Sequence, residues 1–379
     1  MRGVDVGGIY ENPGLQSCNT RRSRRELLTL RAVRYGGSMS ERPLSERVAA
    51  PPTLELPHST DEVTWRAATS ADITGIHELM LESSAVDHPH YTVTREEIED
   101  EFTASYLDAT GDTIVAVAPD GTILGAGFVS FPPGQETLVR SILDGSVRPS
   151  ARGRGIGRQL LAWQVARGQQ QLASSDKTLP GWLLAGADEG VTDAISLFER
   201  EGLTVARYFL ELRRDLAGPI VDVALDAAVH LEPLTPELVA PTLVARNTAF
   251  MDHWGSQPTS EEGWASFMGR STTRGDLSSI AVAGDAEVAG FVVASVNEDD
   301  WPGQGFSSAY VDLVGVTRPW RKRGIAAALL TNTMRLAKAA GLDKVVLDVD
   351  AINPTGALGL YEGLGFEESN RSMSFTKVY

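Results

Sequence analysis

"RPWRKRGIAAALL", residues 318–330, sets four basic residues and a glycine directly ahead of an alanine- and leucine-rich run. Upstream, "RPSARGRGIGRQLL" at 148–161 has the same form. Each follows a β-rich run, the later one ending at Val316. Each opens a segment with helical spacing of apolar residues: Ile325, Leu329, Leu330, Met334 and Ala337 line one side, and Gly341 stops the run. The first amides of a helix have no internal partner, and the positive end of its dipole points out through them. Glycine and alanine let a ligand approach that backbone, while arginine and lysine add positive charge. The pattern therefore predicts a phosphate or pyrophosphate cradle at Arg321, Lys322, Arg323, Gly324, Ile325, Ala326 and Ala327. It predicts a second at Arg152, Gly153, Arg154, Gly155, Ile156 and Gly157. A solvated surface turn is the competing reading of either stretch alone; their recurrence at matched positions favours the cradle. No G-x-x-x-x-G-K-[ST] occurs, and the dinucleotide fingerprint fails because position 158 is arginine.

Working outward, the flanking segments also recur. "VTWRAATSADITGIHELM" reads as a short strand closed by Trp65, then a helix capped at Thr69 or Ser70 with the stripe Ile73, Ile76, Leu79, Met80. "VHLEPLTPELVAPTLVARN" repeats it, with Thr235 in the place of Thr69. "DTIVAVAPDGTILGAGFVSF" and "LSSIAVAGDAEVAGFVVASV" read as hairpins turning at Pro119-Asp120-Gly121 and Gly284-Asp285. "VRSILDGSV" answers "AYVDLVGV", "GWLLAGA" answers "KVVLDVD", and "DAISLFEREGL" answers "GALGLYEGLGF". Arg152 and Arg321 lie 169 positions apart. The chain thus reads as a tandem duplication of one α/β unit: 62–216, a linker at 217–228, and 229–379.

The length of 379 residues agrees with two domains. A formal charge of −16 argues against a nucleic-acid surface and suits either a cationic partner or solubility alone. No apolar run approaches the ~18 residues that cross a bilayer, so no membrane partner is expected. Cys18 is the only cysteine and there are six histidines without H-E-x-x-H, so no disulfide and no metal site are expected. A reducing cytoplasm is the expected location. Residues 1–60, with "RRSRRELLTLRAVR" and "ERPLSERVAAPPTLELP", read as a disordered extension. An arginine-rich targeting peptide, or a start at Met39, are the competing readings.

With the turns in view, the sequence resembles the GNAT (Gcn5-related) N-acetyltransferases. The signature [Q/R]-x-x-G-x-[G/A] is met by Arg321, Gly324 and Ala326, and again by Arg152, Gly155 and Gly157. "NPTGALGLYEGLGF" resembles the second signature, with Asn353, Tyr361 and Gly365-Phe366. The tandem arrangement is similar to mycothiol synthase. The resemblance implies an α/β (α+β) fold of two GNAT-like domains, each a mixed, mostly antiparallel sheet flanked by helices. It implies acetyl-CoA as co-substrate, its pyrophosphate on the turn and its pantetheine along Val314, Gly315 and Val316, with Asn353 assisting. Val147 takes the matching place in the first half. Transfer to the amine of a small molecule would follow by direct attack.

A thioester is already activated, so positioning and proton management are what remain. Tyr361 is the candidate acid for the departing thiolate; a packed helix aromatic is its plainer role. In the first half Phe198 and Gly190 stand where Tyr361 and Asn353 stand in the second. The 62–216 half is therefore expected to keep the cofactor turn but to be a non-catalytic, mainly structural partner. Strand alternation places Tyr310, Asp312, Val314 and Val316 on one face, making Asp312 the candidate base, with Asp348 and Asp350 in reserve. A bulge would change that parity. Asp252, His253 and Trp254 are the candidate acceptor contacts, with Glu261, Glu262 and Trp264 nearby; core anchoring and a solvated helix start are the alternatives. Two narrower alternatives stay open: acetylation of the cysteinyl amine of a thiol sugar, and a non-catalytic acyl-CoA binder. Either a monomer or a homodimer fits.

Overall fold

The computed structural model describes residues 41–352 and 356–379. The first half runs α1 (Leu44–Arg47), β1 (Thr64–Arg66), α2 (Ile73–Asp87), α3 (Arg95–Thr103), α4 (Ala109–Asp112), β2 (Thr113–Val117), β3 (Ile123–Ser130) and β4 (Val139–Val147). It continues through α5 (Ile156–Ala173), β5 (Gly181–Asp188), α6 (Thr192–Arg200) and β6 (Thr204–Asp215). The second half repeats the order as β7 (His230–Glu232), α7 (Pro236–Ala249), α8 (Glu261–Gly269), β8 (Ser279–Val282), β9 (Val288–Ser295), α9 (Trp301–Gln304) and β10 (Ser308–Val316). It ends with α10 (Ile325–Ala339), β11 (Lys344–Asp350), α11 (Ala357–Gly363) and β12 (Glu367–Val378).

Among the described residues, twelve strands form one sheet in the order β1-β2-β3-β4-β5-β12-β6-β11-β10-β9-β8-β7. The two repeats exchange their last strands. β12 lies antiparallel between β5 and β6, and β6 lies antiparallel between β12 and β11. Helices cover both faces, which is why β3 and β9 are buried at every residue and read as continuous apolar runs. In the first half, Leu160 and Leu161 of α5 pack on Val129 and Leu143, while Ile76 and Leu79 of α2 pack on Val115 and Phe128 opposite. In the second, α10 packs Leu329, Leu330 and Met334 on one side; Phe250, just after α7, and Trp264 of α8 pack with Phe291 on the other.

Two helices have polar starts: α3, which apolar periodicity does not announce, and α8, whose beginning at Glu261 and Glu262 is the solvated helix start given above as the alternative. α3 begins at a capping box in which Thr94 accepts from the Glu97 amide and Glu97 reaches back to the Thr94 amide. α8 is capped by Ser260, which accepts from the Gly263 amide. Expected disorder at residues 41–60 is overturned. Leu44 is fully buried against Gly181 and the α5 core, and the Arg47 side chain donates to the carbonyls of Leu179 and Tyr379. One buried leucine and two backbone anchors outweigh the proline- and charge-rich composition there. Residues 1–40, including Cys18 and Met39, lie outside the described residues.

Leu44→Ala removes a side chain with no exposure, so it should cost about 2–5 kcal/mol in denaturant unfolding. An unchanged unfolding midpoint would mean that this segment does not dock.

Candidate active site

Each predicted turn opens a helix through a left-handed glycine. Gly155 has φ 84° ahead of α5 and Gly324 has φ 75° ahead of α10. This is a conformation that a side chain disfavours by roughly 1–2 kcal/mol. The first helical bonds run from the Gln159 amide to the Gly155 carbonyl (3.2 Å) and from the Ala328 amide to the Gly324 carbonyl (3.0 Å). The amides of 156–158 and 325–327 therefore precede the helical ladder and point outward. Lys322 also has positive φ, 62°, where the first repeat has Gly153 at 75°.

The leading arginines are braces, engaged by the protein itself as well as adding positive charge. Arg152 Nε donates to the Val147 carbonyl at 3.1 Å, and Arg321 Nε donates to the Val316 carbonyl at 3.1 Å. Arg152 then forks onto Asp87 of α2 at 2.6 and 2.8 Å, while Arg321 donates to the Ala249 carbonyl at the end of α7 at 2.9 Å. Arg154 pairs with Glu62, and Arg323 pairs with Asp226 while lying over Trp320. The side chains thus hold each turn between strand and helix, and the unladdered amides are the backbone groups that each turn presents outward. Ile156 and Ile325 point into the cores, so only their amides face outward.

Beside each turn the sheet opens. β4 and β5 pair in parallel only over Val139–Ile142 with Gly181–Leu184. β10 and β11 pair only over Ser308–Val311 with Lys344–Leu347. In the first half the opening is a cleft of about 810 Å³, within the size range of small-molecule sites. Val147, Arg152, Gly153, Arg154, Gly155 and Gly157 line one end. Phe198, the counterpart of Tyr361, lines its wall. At the other end lie Glu97, Glu101 and Asp144 beside Met80, Val93, Ile98 and Phe128. Asp144 is two residues past Ile142, the last β4 residue paired with β5, and lies opposite Phe128 of β3. Ser130 Oγ donates to Glu101.

Both residues are half-buried, and both line the cleft. Desolvation raises Glu101 to about 7, with the Asp144 charge adding to it, and desolvation raises Asp144 to about 6. No local sequence signal marks Glu101 or Asp144. Asp144 falls one register away from Asp312 in the repeat, and Glu101 sits in the charge run "REEIEDE" that reads as a solvated face.

In the second half a β-bulge falls at the candidate base. Val311 pairs with Ala294 and Leu313 with Val293, leaving Asp312 as the extra residue. The bulge overturns the single-face alternation. Val311, Val314 and Val316 pack on the α10 side, whereas Leu313 joins the α7–α8 core. Asp312 shares a cavity of about 10 Å³ with Phe267, Arg270, Ser295 and Asn297, and with Glu97 from the first half. That volume holds one water at most. The Tyr310 hydroxyl donates to Asp348 at 2.5 Å, and Asp350 is buried 3.6 Å from Arg207. Gly315 is explained by packing, since a Cβ there would meet the Phe291 ring at 2.5 Å.

Tyr361 is buried on α11 with its ring 5.8 Å from Phe366. Asn353 lies outside the described residues. Asp252 falls in the 3₁₀ turn Phe250–Asp252, and His253 stacks on Phe250 at 4.6 Å. Trp254 stacks on Trp182 of the first half at 4.9 Å, with Arg207 5.3 Å from its ring. It therefore packs the seam between the halves. Trp264 is a core anchor whose Nε1 donates to the Val239 carbonyl at 2.8 Å, and Glu262 accepts from Ser105 across the seam. Among the described residues no cluster of His, Cys, Asp and Glu could hold a metal ion.

Because the folded protein keeps the Glu101 proton up to about pH 7, its stabilising effect is complete below the ordinary carboxyl range and lost as pH rises through 7. Relative to wild type, Glu101→Gln should gain stability between pH 5 and pH 8, on the order of 1 kcal/mol after allowing for solvent in the cleft. Parallel pH profiles for the two proteins in chemical denaturation would contradict the desolvated carboxyl.

The sequence model of the acetyltransferase (GNAT) family matches residues 73–201 and 244–366. The mycothiol acetyltransferase of Tsukamurella paurometabola is 30% identical over 262 residues, covering 66% of this chain and 81% of that protein. That of Rhodococcus erythropolis is 28% identical over 290 residues, covering 72% and 84%. Among solved structures, a GCN5-related N-acetyltransferase from Sphaerobacter thermophilus aligns with TM-score 0.62 at 24% identity, over 86% of this chain and 97% of that one. A tandem GNAT protein from the clavulanic acid biosynthesis pathway aligns with TM-score 0.63 at 16% identity, over 84% and 98%. The two matched stretches each contain one splayed strand pair and one glycine-led turn, and the chain belongs to the GNAT acetyltransferase family.

Proposed function

We propose that the protein is an acetyl-CoA-dependent N-acetyltransferase acting on a small-molecule amine, with the principal transfer in the second half. The observation that carries this reading is the strand–turn–helix at 308–339, in which unladdered amides at 325–327 stand beside an opening between β10 and β11. Diphosphate suits those amides. Past Val311, β10 has no β11 partner, so the backbone at Val314–Val316 offers ladder positions to the amides of a pantetheine arm. A backbone amide there would also polarise the thioester carbonyl.

The amine attacks the thioester carbonyl carbon, and the carbon–sulfur bond breaks as thiolate leaves. Tyr361 is assigned the proton for that thiolate; the matching residue Phe198 lines the first-half cleft, which supports a cleft-facing role for its counterpart. Asp312 is assigned the amine proton through the single water its cavity can hold. Asp252, His253 and Trp254 are assigned to the acceptor side, with Trp254 acting through the seam it packs. The mycothiol acetyltransferase relatives make the cysteinyl amine of a thiol sugar the first acceptor to assay.

Tyr361→Phe should lower kcat for that half's acceptor by roughly 10²-fold with KM little changed, read as free-thiol release from acetyl-CoA. Equal turnover would remove Tyr361 from the reaction. Gly324→Val places a β-branched residue at φ 75° and should abolish CoA binding at that turn in calorimetric titration. Undiminished binding there would reject the turn as the grip.

A further inference from the structure

We propose that the first-half cleft is a second acyl-transfer site, in which Glu101 and Asp144 manage the protons for a primary amine carried on an apolar body. The inference rests on reading the turn at 152–158 as a CoA grip. It departs from the expectation that this half is only a structural partner, which followed from Phe198 standing where a phenol would be needed.

The cleft is polarised along its length. Its turn end presents the amides of 156–158 together with Arg158. Its other end presents Glu101 and Asp144, from α3 and β4, at the point where β4 leaves β5. Arg270 is the nearby cation, and it is already engaged by Asp100 at 3.1 Å and Glu97 at 3.3 Å. Two carboxyls left facing one cleft form a site for a cation, and like charges held close keep one proton between them. Met80, Val93, Ile98 and Phe128 around them suit an alkyl or arylalkyl chain rather than a sugar. A cofactor with phosphates at one end and a thioester at the other would bring its carbonyl toward the carboxyl end.

The step balances within that pair. An ammonium entering the cleft loses one proton to solvent by way of the ionised carboxylate. The amine nitrogen then bonds to the thioester carbonyl carbon as the carbon–sulfur bond breaks. The nitrogen gives its next proton to the ionised carboxylate, and the thiolate takes one from the protonated partner. Amide and free thiol leave, and the pair again holds one proton. A pair of carboxyls thereby performs what Tyr361 is assigned in the other half, which is why Phe198 is tolerated.

The test uses the full chain with acetyl-CoA and 2-phenylethylamine, measuring thiol release in a Tyr361→Phe background. The proposal expects turnover to persist there and to fall at least 100-fold when Asp144→Asn is added, with a similar fall for Glu101→Gln. The melting temperatures of these variants should be maintained or raised, since each removes an ionisable carboxyl from a desolvating site. No turnover in the Tyr361→Phe background, or turnover indifferent to Asp144→Asn, would overturn it. Calorimetric CoA stoichiometry with Gly155→Val separates this failure from that of the underlying reading. If Gly155→Val leaves stoichiometry unchanged, the turn is not a grip and both fall. If stoichiometry drops by one site per chain while Asp144→Asn has no kinetic effect, the grip stands and the second site is rejected.

Discussion

Four residues of parallel pairing, followed by separation, are the constraint around which each half is organised. β4 and β5, and likewise β10 and β11, hold together for one short ladder and then diverge. Backbone donors and acceptors beyond that point lack a neighbouring strand on one side. Unpaired backbone inside a fold is costly unless water or a ligand completes it, so the opening is a ready template for an extended, amide-bearing chain. In the proposed reading, the glycine-led helix at the mouth supplies its unladdered amides to the anionic end of the same molecule. Its arginine is committed to the strand carbonyl five residues back, which keeps turn and opening in register.

Exchange of the last strands binds the two openings into one sheet. Because β6 lies against β11 and β12 lies against β5, each half completes its sheet with a strand from the other. The seam is reinforced by Trp254 on Trp182 and by Arg270, which crosses to Glu97 and Asp100 of α3. Glu97 lines both the first-half cleft and the small cavity at Asp312, so one helix forms a wall common to both regions. Divergence of the halves is chemical more than architectural. One has a bulge at Asp312 and a tyrosine at 361; the other has continuous β3–β4 register, Asp144 on the cleft face, and a phenylalanine at 198.

Much of this was legible in the sequence. The two turns, the hairpins, the order of elements and the family all follow from local pattern and its recurrence. Glycines 155 and 324 announced their helix starts because no other residue takes that backbone cheaply. What pattern could not carry was anything set by partners distant in sequence. The strand exchange depends on which neighbour each last strand pairs with, and "ARYFLELRRDL" reads the same beside either one. The bulge at Asp312 adds one residue without a local signature and reverses the face of Val314 and Val316. Local pattern assigns Arg152 and Arg321 only positive charge, because the acceptors that tie them to α2 and α7, Asp87 and the Ala249 carbonyl, lie 65 and 72 residues away. Glu101 was hidden in a charge run whose other members are solvent-facing or paired.

The central claim is that the amides leading α5 and α10 clasp the diphosphate of coenzyme A. Amide hydrogen exchange, followed by mass spectrometry with and without saturating CoA, tests it most directly. The account predicts slowed exchange confined to 152–159 and 321–328 and to the strand ends at 144–147 and 314–316. Protection appearing elsewhere, with both helix starts unchanged, would contradict it.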